Sequence, residues 1–511
     1  MPASRATDDR DLVLSIDVGT TAVKVALWDR TLAQPLALAR REYDLVLSDG
    51  RIEAAPSVYL EAIARVVPEV VGDRGHRVRA LACASQGETM MFVDEAARPL
   101  GRAIVWLDSR AEAEAAALRD HLGSIYQRTG VAHLTGAVPL AKALHARRER
   151  PEMFRDGVRI LLVEDHVVAT LCGRVVTTAS HQTSTGWFDL TTDDYADDLL
   201  AAVGLDRRHL PPLVEPGTVV GTLLPEWAAA LGLPEGVQVV AGAMDQTAAA
   251  LGAGALTPGV VSVALGTALV AAVTTEQPPG ASANAGMTYY RHVRAGSFLA
   301  LEFLPTGAAV LSWLRRLLST GGAVTYEHLD ALAAGVPAGS GGLVVIPTFA
   351  GHVAGASDRP ATGAVLGLTT AATDGHLARA AMEGVAVALR GVLDSVAAAG
   401  VSAHELRLSG GGALSRVWPQ IVADASGRPV LALAQTEAPS LGAAILAGWG
   451  SGLIPHGSVP GAAAENVITP DPGTARVYDH VAERHRTALA ALQPYWDAEA
   501  GAPPTDPTGA A

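Results

Sequence analysis

Leu12-Val13-Leu14-Ser15-Ile16-Asp17-Val18-Gly19-Thr20-Thr21-Ala22-Val23-Lys24-Val25-Ala26-Leu27-Trp28-Asp29 reads as strand, tight turn, strand. Gly19 lets the backbone approach a ligand, and the turn's N–H groups with two threonine hydroxyls can cradle phosphate oxygens. Asp17 ends the first strand, where a carboxylate can hold a hydrated Mg²⁺, and Lys24 can answer phosphate charge. A plain polar hairpin is the other reading of the same residues.

The shape returns downstream. With Ser262 laid on Ser15, Val261-Ser262-Val263-Ala264-Leu265-Gly266-Thr267-Ala268-Leu269-Val270 repeats Gly and Thr in register, and Ala264 takes the place of Asp17. Two similar halves, one with the acid and one without, predict a duplicated fold that grips one nucleotide from both sides. The repeat favours the phosphate reading over the plain hairpin.

A chain of 511 residues is long enough for two or three domains. Its net charge of −14 argues against nucleic acid or an anionic membrane as main partner. The two cysteines, Cys83 and Cys172, lie far apart in apolar surroundings, which suits a reducing, cytoplasmic setting. Ala248 to Val273 is uncharged and long enough to span a bilayer, but Leu256-Thr257-Pro258-Gly259 and Gly266-Thr267 interrupt it. It reads as a buried helix, a turn and a buried hairpin. Basic residues are nearly all Arg, and the only lysines are Lys24 and Lys142, which suggests a use for both.

An amphipathic helix over Val58–Val71 and a buried strand over Arg79–Ser85 follow the first hairpin. That strand stops at Ser85-Gln86-Gly87-Glu88-Thr89-Met90, a polar cluster at a strand end, where ligands of α/β proteins gather. Glu88 is either a solvated acid or an acceptor for a hydroxylated ligand. Ala103 to Arg110, containing Trp106, reads as a strand-to-helix junction. Val237–Ala241 is a short buried strand running into Asp245, which opens an Ala-rich helix. An N-cap and a catalytic base both suit that place. The second half starts near Thr257-Pro258-Gly259. Its elements include Thr306-Gly307-Ala308 opening a helix, a strand over Leu343–Pro347, a long helix over His376–Ala398, and Leu406–Ser409 ending in Gly410-Gly411-Gly412-Ala413. The Gly-rich turn suits a nucleotide lying against backbone or an ordinary crossover.

Together these stretches resemble the FGGY family of carbohydrate kinases over nearly the whole chain. Gly363-Ala364-Val365-Leu366-Gly367-Leu368 followed by His376 to Glu383 fits the family's C-terminal signature in spacing and residue type. The opening D-x-G-T-T, Gly-x-x-Asp-Gln around Asp245, and Ser409 to Ala413 occur in the family's order. A second signature is degenerate: Pro139 and Lys142 keep their spacing, while Ala137, Ala143 and His145 depart from it.

The resemblance implies an α/β fold of two RNase H-like, actin-like ATPase domains, with ATP and sugar in the cleft between them. The expected division is residues 1–255 for the sugar-binding domain carrying the base, 256–495 for the nucleotide-binding domain, and a disordered tail over 496–511. Asp245 is then the general base, and Asp17 helps to hold Mg²⁺. Thr20, Thr21, Lys24, Gly266, Thr267 and Gly307 serve ATP, and Gly411 and Gly412 lie against its adenosine. The sugar contacts expected are Gln86, Glu88, Trp106, Asp245 and Gln246. Compared with glycerol kinases, Gly87 and Ala137 stand where that group has Arg and Tyr, which leaves room for a ketopentose or a longer polyol. A homodimer is the assembly the resemblance suggests, with no nucleic acid and no membrane as partner. An ATPase of the same fold that acts on no sugar, or a sugar sensor without catalysis, are the competing readings.

Overall fold

The structure is a computed structural model, and it describes residues 11–122, 124–279, 287–319, 322–349, 351, 361–434, 437–460 and 467–499. The chain divides into two compact units. Met1–Pro258, Thr274–Ala300 and Glu437–Ala463 make the first, and Gly259–Val273, Leu301–Thr436 and Ala464–Ala511 the second. The first unit thus gathers two segments from beyond residue 255, where the sequence placed its end.

The first unit is built on β1 (Leu12–Val18), β2 (Ala22–Trp28), β3 (Ala37–Glu42), β4 (Val78–Ser85), β5 (Val219–Thr222) and β6 (Gln238–Met244), in the spatial order β5–β6–β4–β1–β2–β3. β1, β4 and β6 run parallel, and the other neighbours are antiparallel. Every residue of β1 is buried, because both faces of the sheet are covered. Leu12, Leu14, Ile16 and Val18 point to one face, into a core shared with α1 (Ser57–Val71), whose Tyr59, Ile63, Val66, Val67 and Val70 follow helical spacing. Val13 points to the opposite face and packs with the helix Ala438–Ser451. On that face the Ser15 hydroxyl lies 2.7 Å from that of Ser440.

The same late helix crosses α3 (Asp245–Gly252) at close range. A Cβ on Gly442 would fall 1.9 Å from the Ala248 carbonyl oxygen, and one on Gly252 would fall 2.1 Å from that of Ala438. Only glycine permits that approach, which seats α3 against the late helix. Between β4 and β5 lies α2 (Val163–Cys172), whose Val163, Val167 and Leu171 join the α1 core.

The second unit repeats the plan. β7 (Val260–Leu265) and β8 (Leu269–Thr275) form an antiparallel hairpin, and β9 (Glu405–Ser409) runs parallel to β7. β10 (Val430–Ala432) runs parallel to β9 in turn. The long helix α4 (Asp374–Ala398) carries the signature acid Glu383, which is buried. Its carboxylate accepts from Ser340 Oγ at 2.7 Å, the Gly339 N–H at 2.9 Å and Arg379 Nε at 2.9 Å. This signature therefore holds the fold's interior together. The segment 248–273 is a helix followed by a hairpin, as read from the sequence, and no described helix is long and apolar enough to cross a membrane.

The C-terminal boundary needs a correction. The helix Ala475–Glu499 includes the first four residues assigned to the tail, because Trp496 is buried against Val344, Ile346 and Ala488 and its Nε1 donates to Thr362 Oγ1. Residues 500–511 lie outside the described residues.

Candidate active site

The C-terminal ends of β1, β4 and β6 are level: Val18 pairs with Ser85, and Ser85 pairs with Met244. Parallel strands in register deliver their outgoing loops to one edge of the sheet. Here that edge carries the Asp17–Thr21 turn, the Gln86–Thr89 loop and Asp245, so three acids found far apart in sequence come together.

Their electrostatics show the grouping. Burial pushes the Asp245 carboxyl up to about 7, with Asp17 and then Glu88 adding to the shift, while the Gln246 N–H and His181 oppose it. Asp17 is pushed up to about 6, by burial first and against the pull of Lys24. Glu88 is raised too, by burial, against Lys142, Ser184 and Tyr290. Asp245 is the first residue of α3, and Gln246 follows it, both half-buried. Glu88 holds a left-handed backbone, φ 55°, a strain of about 1–3 kcal/mol for a non-glycine residue. Ser184 and Tyr290 hydrogen-bond its carboxylate. Glu88 is thus a half-buried acid with side-chain partners of its own rather than a freely solvated one.

The remaining sequence-predicted residues of this unit surround the acids. Gln86 is buried, donates to the Gly19 carbonyl at 3.0 Å and accepts from Thr89 Oγ1 at 2.9 Å. Tyr43 donates to the same Gly19 carbonyl. Trp106 Nε1 donates to Thr20 Oγ1 at 2.8 Å, which ties the junction after Ala103–Ile104 to the turn. Thr21 is exposed. Lys24 lies 4.0 Å from Asp17 and 2.6 Å from Glu437.

Lys142, the other lysine, is fully buried. Its Nζ donates to the Val105 carbonyl at 2.9 Å and the Glu88 carbonyl at 3.4 Å, so it joins the two loops that present Trp106 and Glu88. Burial lowers its ammonium to about 7, against the pull of Glu88 and Asp108. The degenerate signature thus keeps a working lysine.

In the second unit, Gly266 and Thr267 form the turn between β7 and β8. The N–H groups of Gly307 and Ala309 donate to the Thr267 carbonyl at 2.8 and 3.1 Å, and that of Ala308 to the Gly266 carbonyl at 2.6 Å. A Cβ on Gly412 would meet the Leu265 side chain at 2.4 Å, so the glycine turn after β9 rests beside the same hairpin. Gly266, Thr267, Gly307 and Gly412 are therefore neighbours, with Gly411 exposed next to Gly412.

Sequence reasoning missed Tyr290, Ser184, His181, Glu164 and Glu437. One signal was available: Thr177-Thr178-Ala179-Ser180-His181-Gln182-Thr183-Ser184-Thr185 is polar yet almost wholly buried. A polar run without charge repulsion or turn glycines can line an interior site.

Residues 12–252 match the N-terminal domain, and residues 261–451 the C-terminal domain, of the FGGY family of carbohydrate kinases. The chain is 30% identical over 445 residues to the xylulose kinase of Escherichia coli (strain K12), covering 85% of this chain and 89% of that one. It is 30% identical over 467 residues to the glycerol kinase of Alkalilimnicola ehrlichii, covering 88% and 92%. The crystal structure of xylulose kinase from Rhodospirillum rubrum superposes with a TM-score of 0.84 at 29% identity, covering 95% of this chain and 99% of that one. With both of its domains matched in order, this chain belongs to the FGGY family of carbohydrate kinases.

Proposed function

We propose that this kinase transfers the γ-phosphate of ATP to a hydroxyl of a neutral ketopentose or polyol, with Asp245 as general base. The observation that carries the reading is the Asp245 carboxyl, raised to about 7 at the start of α3 and grouped with Asp17 and Glu88. Such a group is ionised in part at neutral pH and basic enough to accept a hydroxyl proton. As the sugar oxygen attacks the γ-phosphorus, its O–H bond breaks toward Asp245 and the bond from phosphorus to ADP opens in line.

Glu88, Gln246 and the face of Trp106 are proposed to hold the sugar's other hydroxyls, with Gln86 at the floor of the same loop. A site with Glu88 and Asp245 side by side disfavours a carboxylate-bearing sugar. The names of the relatives support the two neutral classes, since they include both xylulose and glycerol kinases.

Among the described residues no group of three or more His, Cys, Asp or Glu side chains could hold a metal ion alone. A Mg²⁺ carried by nucleotide phosphates needs only one or two protein carboxylates, and Asp17 fits that part. Bound there, the ion would neutralise charge on the transferring phosphoryl group. Thr20, Thr21, Lys24, Gly266, Thr267 and Gly307 are proposed to serve the phosphates of ATP, with Gly411 and Gly412 against its adenosine.

The test is ADP release with ATP and Mg²⁺ across ketoses, aldoses, polyols and sugar acids. One neutral sugar is expected to stimulate turnover strongly, and Asp245→Asn to lower kcat about 10³-fold. ADP release indifferent to both sugar and substitution would leave an ATPase in place of a sugar kinase.

A further inference from the structure

Directly behind Asp245 lies an ion pair that the proposed chemistry leaves unused. Glu164, on α2, and His181 are 3% and 0% exposed, and Glu164 Oε2 lies 2.7 Å from His181 Nδ1. Taking both charges out of water costs several kcal/mol per ion before their attraction is counted, so an apolar pair would hold the fold at least as well. What distinguishes this pair is what its other atoms touch.

Glu164 Oε1 accepts the Gly242 N–H at 2.5 Å. Gly242 sits in β6 where its pairing with β4 shifts register, between Val240 and Ala243. The backbone there is pressed so closely on β4 that a Cβ on Gly242 would fall 1.7 Å from the Cys83 carbonyl oxygen. A bulge leaves ladder groups without strand partners, and Glu164 takes the one at Gly242. On the far side of the imidazole, His181 Nε2 lies 3.1 Å from Ser85 Oγ, and Ser85 pairs with Met244. Met244 N–H in turn donates to Ser180 Oγ at 3.3 Å. The circuit Gly242–Glu164–His181–Ser85–Met244 closes around the last three residues of β6, and the next residue is Asp245.

We infer that the Glu164–His181 pair is the positioning element of Asp245, fixing the bulged end of β6 and placing a balancing positive charge behind the acid cluster. The inference rests on Asp245 being the general base. The charged groups that face His181 are Glu164, Asp165, Asp245 and Glu88, with Thr178 and Ser85 hydroxyls on the ring nitrogens. Burial alone would favour the neutral ring, but Glu164, Asp165 and Asp245 outweigh it and raise the His181 imidazolium above its ordinary range, which favours the charged ring. His181 therefore opposes the upward push on the base that burial, Asp17 and Glu88 exert.

Sugar-stimulated ADP release against pH, with a melting curve for each protein, tests this on Glu164→Ala, Glu164→Gln and His181→Gln. Glu164→Ala, which removes the acceptor from Gly242, is expected to lower kcat about 10- to 100-fold with KM for ATP little changed. Glu164→Gln keeps an oxygen for that N–H and is expected to regain most of the loss. His181→Gln withdraws the balancing charge and is expected to move the acid limb of the kcat profile upward by about one pH unit, whereas Glu164→Gln, which removes a negative charge and leaves the imidazole in place, is not. If Glu164→Ala does not fold, the acid limb of His181→Gln decides. A folded His181→Gln variant that keeps the wild-type rate and pH profile, in an enzyme that Asp245→Asn inactivates, overturns the positioning role alone. A wild type that needs neither sugar nor Asp245 overturns the base assignment beneath it.

Discussion

The two Gly-Thr turns, Val18 to Ala22 in the first unit and Leu265 to Leu269 in the second, share a backbone plan and differ in everything that touches it. Each joins an antiparallel hairpin whose first strand has a parallel neighbour on its other side. Across the first hairpin Asp17 pairs with Lys24; across the second the corresponding pair is Ala264 and Val270. The first turn is held by side chains, Trp106 on Thr20 with Gln86 and Tyr43 on the Gly19 carbonyl. The second is held by backbone N–H groups of Gly307, Ala308 and Ala309. The two turns thus share a hairpin frame, while the Asp17–Lys24 pair and the side-chain links to the Trp106 and Gln86 loops belong to the first.

If the acid is what separates the turns, Asp17→Asn should cost the most. Kcat is expected to fall about 10²-fold or more at saturating sugar, with the loss partly relieved at high Mg²⁺. Full activity in Asp17→Asn would make the two turns functionally equivalent and break the comparison.

The same acid should cost stability. Asp17 is buried and its carboxyl rises from 3.8 to about 6 on folding. Between those values the folded state binds more protons than the unfolded chain, so stability falls as pH rises through the window. The deficit above pH 6 is on the order of 3 kcal/mol. Asp17→Asn should therefore melt a few degrees higher than wild type at pH 7.5 and no higher at pH 3.5. Equal melting temperatures at both pH values would mean that Lys24 already compensates the charge, despite the opposing push of Glu437. The reciprocal change, Ala264→Asp, sets a carboxylate beside the second turn. It is expected to raise KM for ATP about tenfold through repulsion of the phosphates.

The first turn was legible in the sequence because its reading depends on local chemistry. Strand-forming runs on both sides of Gly19 dictate a hairpin, and a second copy reveals a duplication. Asp245 was legible for the same reason, as an acid where a buried strand meets a helix. Glu437 was not, since its contact with Lys24 spans most of the chain and depends on the helix Ala438–Ser451 returning to the first unit. Nor was the use of His181 and Glu164: a bulge in β6 creates the need for them, and a bulge leaves no mark in residue order beyond one glycine. The tail was placed too early because one buried tryptophan, Trp496, outweighs the composition around it.

The smallest effect tests the linkage itself. The hydrogen bond from Trp106 Nε1 to Thr20 Oγ1 joins a proposed sugar contact to a proposed phosphate contact. Trp106→Phe keeps an aromatic face and removes the donor; Thr20→Val keeps the shape and removes the acceptor. Each loses a neutral bond in a half-buried place, about 1 kcal/mol, and so should raise KM or lower kcat a few-fold. If the bond couples sugar to nucleotide, Trp106→Phe should weaken the dependence of sugar KM on ATP concentration, and Thr20→Val should do the same. The double variant should then be no worse than either single one, because both remove the same bond. Strict additivity would mean that the indole and the hydroxyl act separately, one on the sugar and one on the phosphates. The first turn would then differ from the second in charge alone.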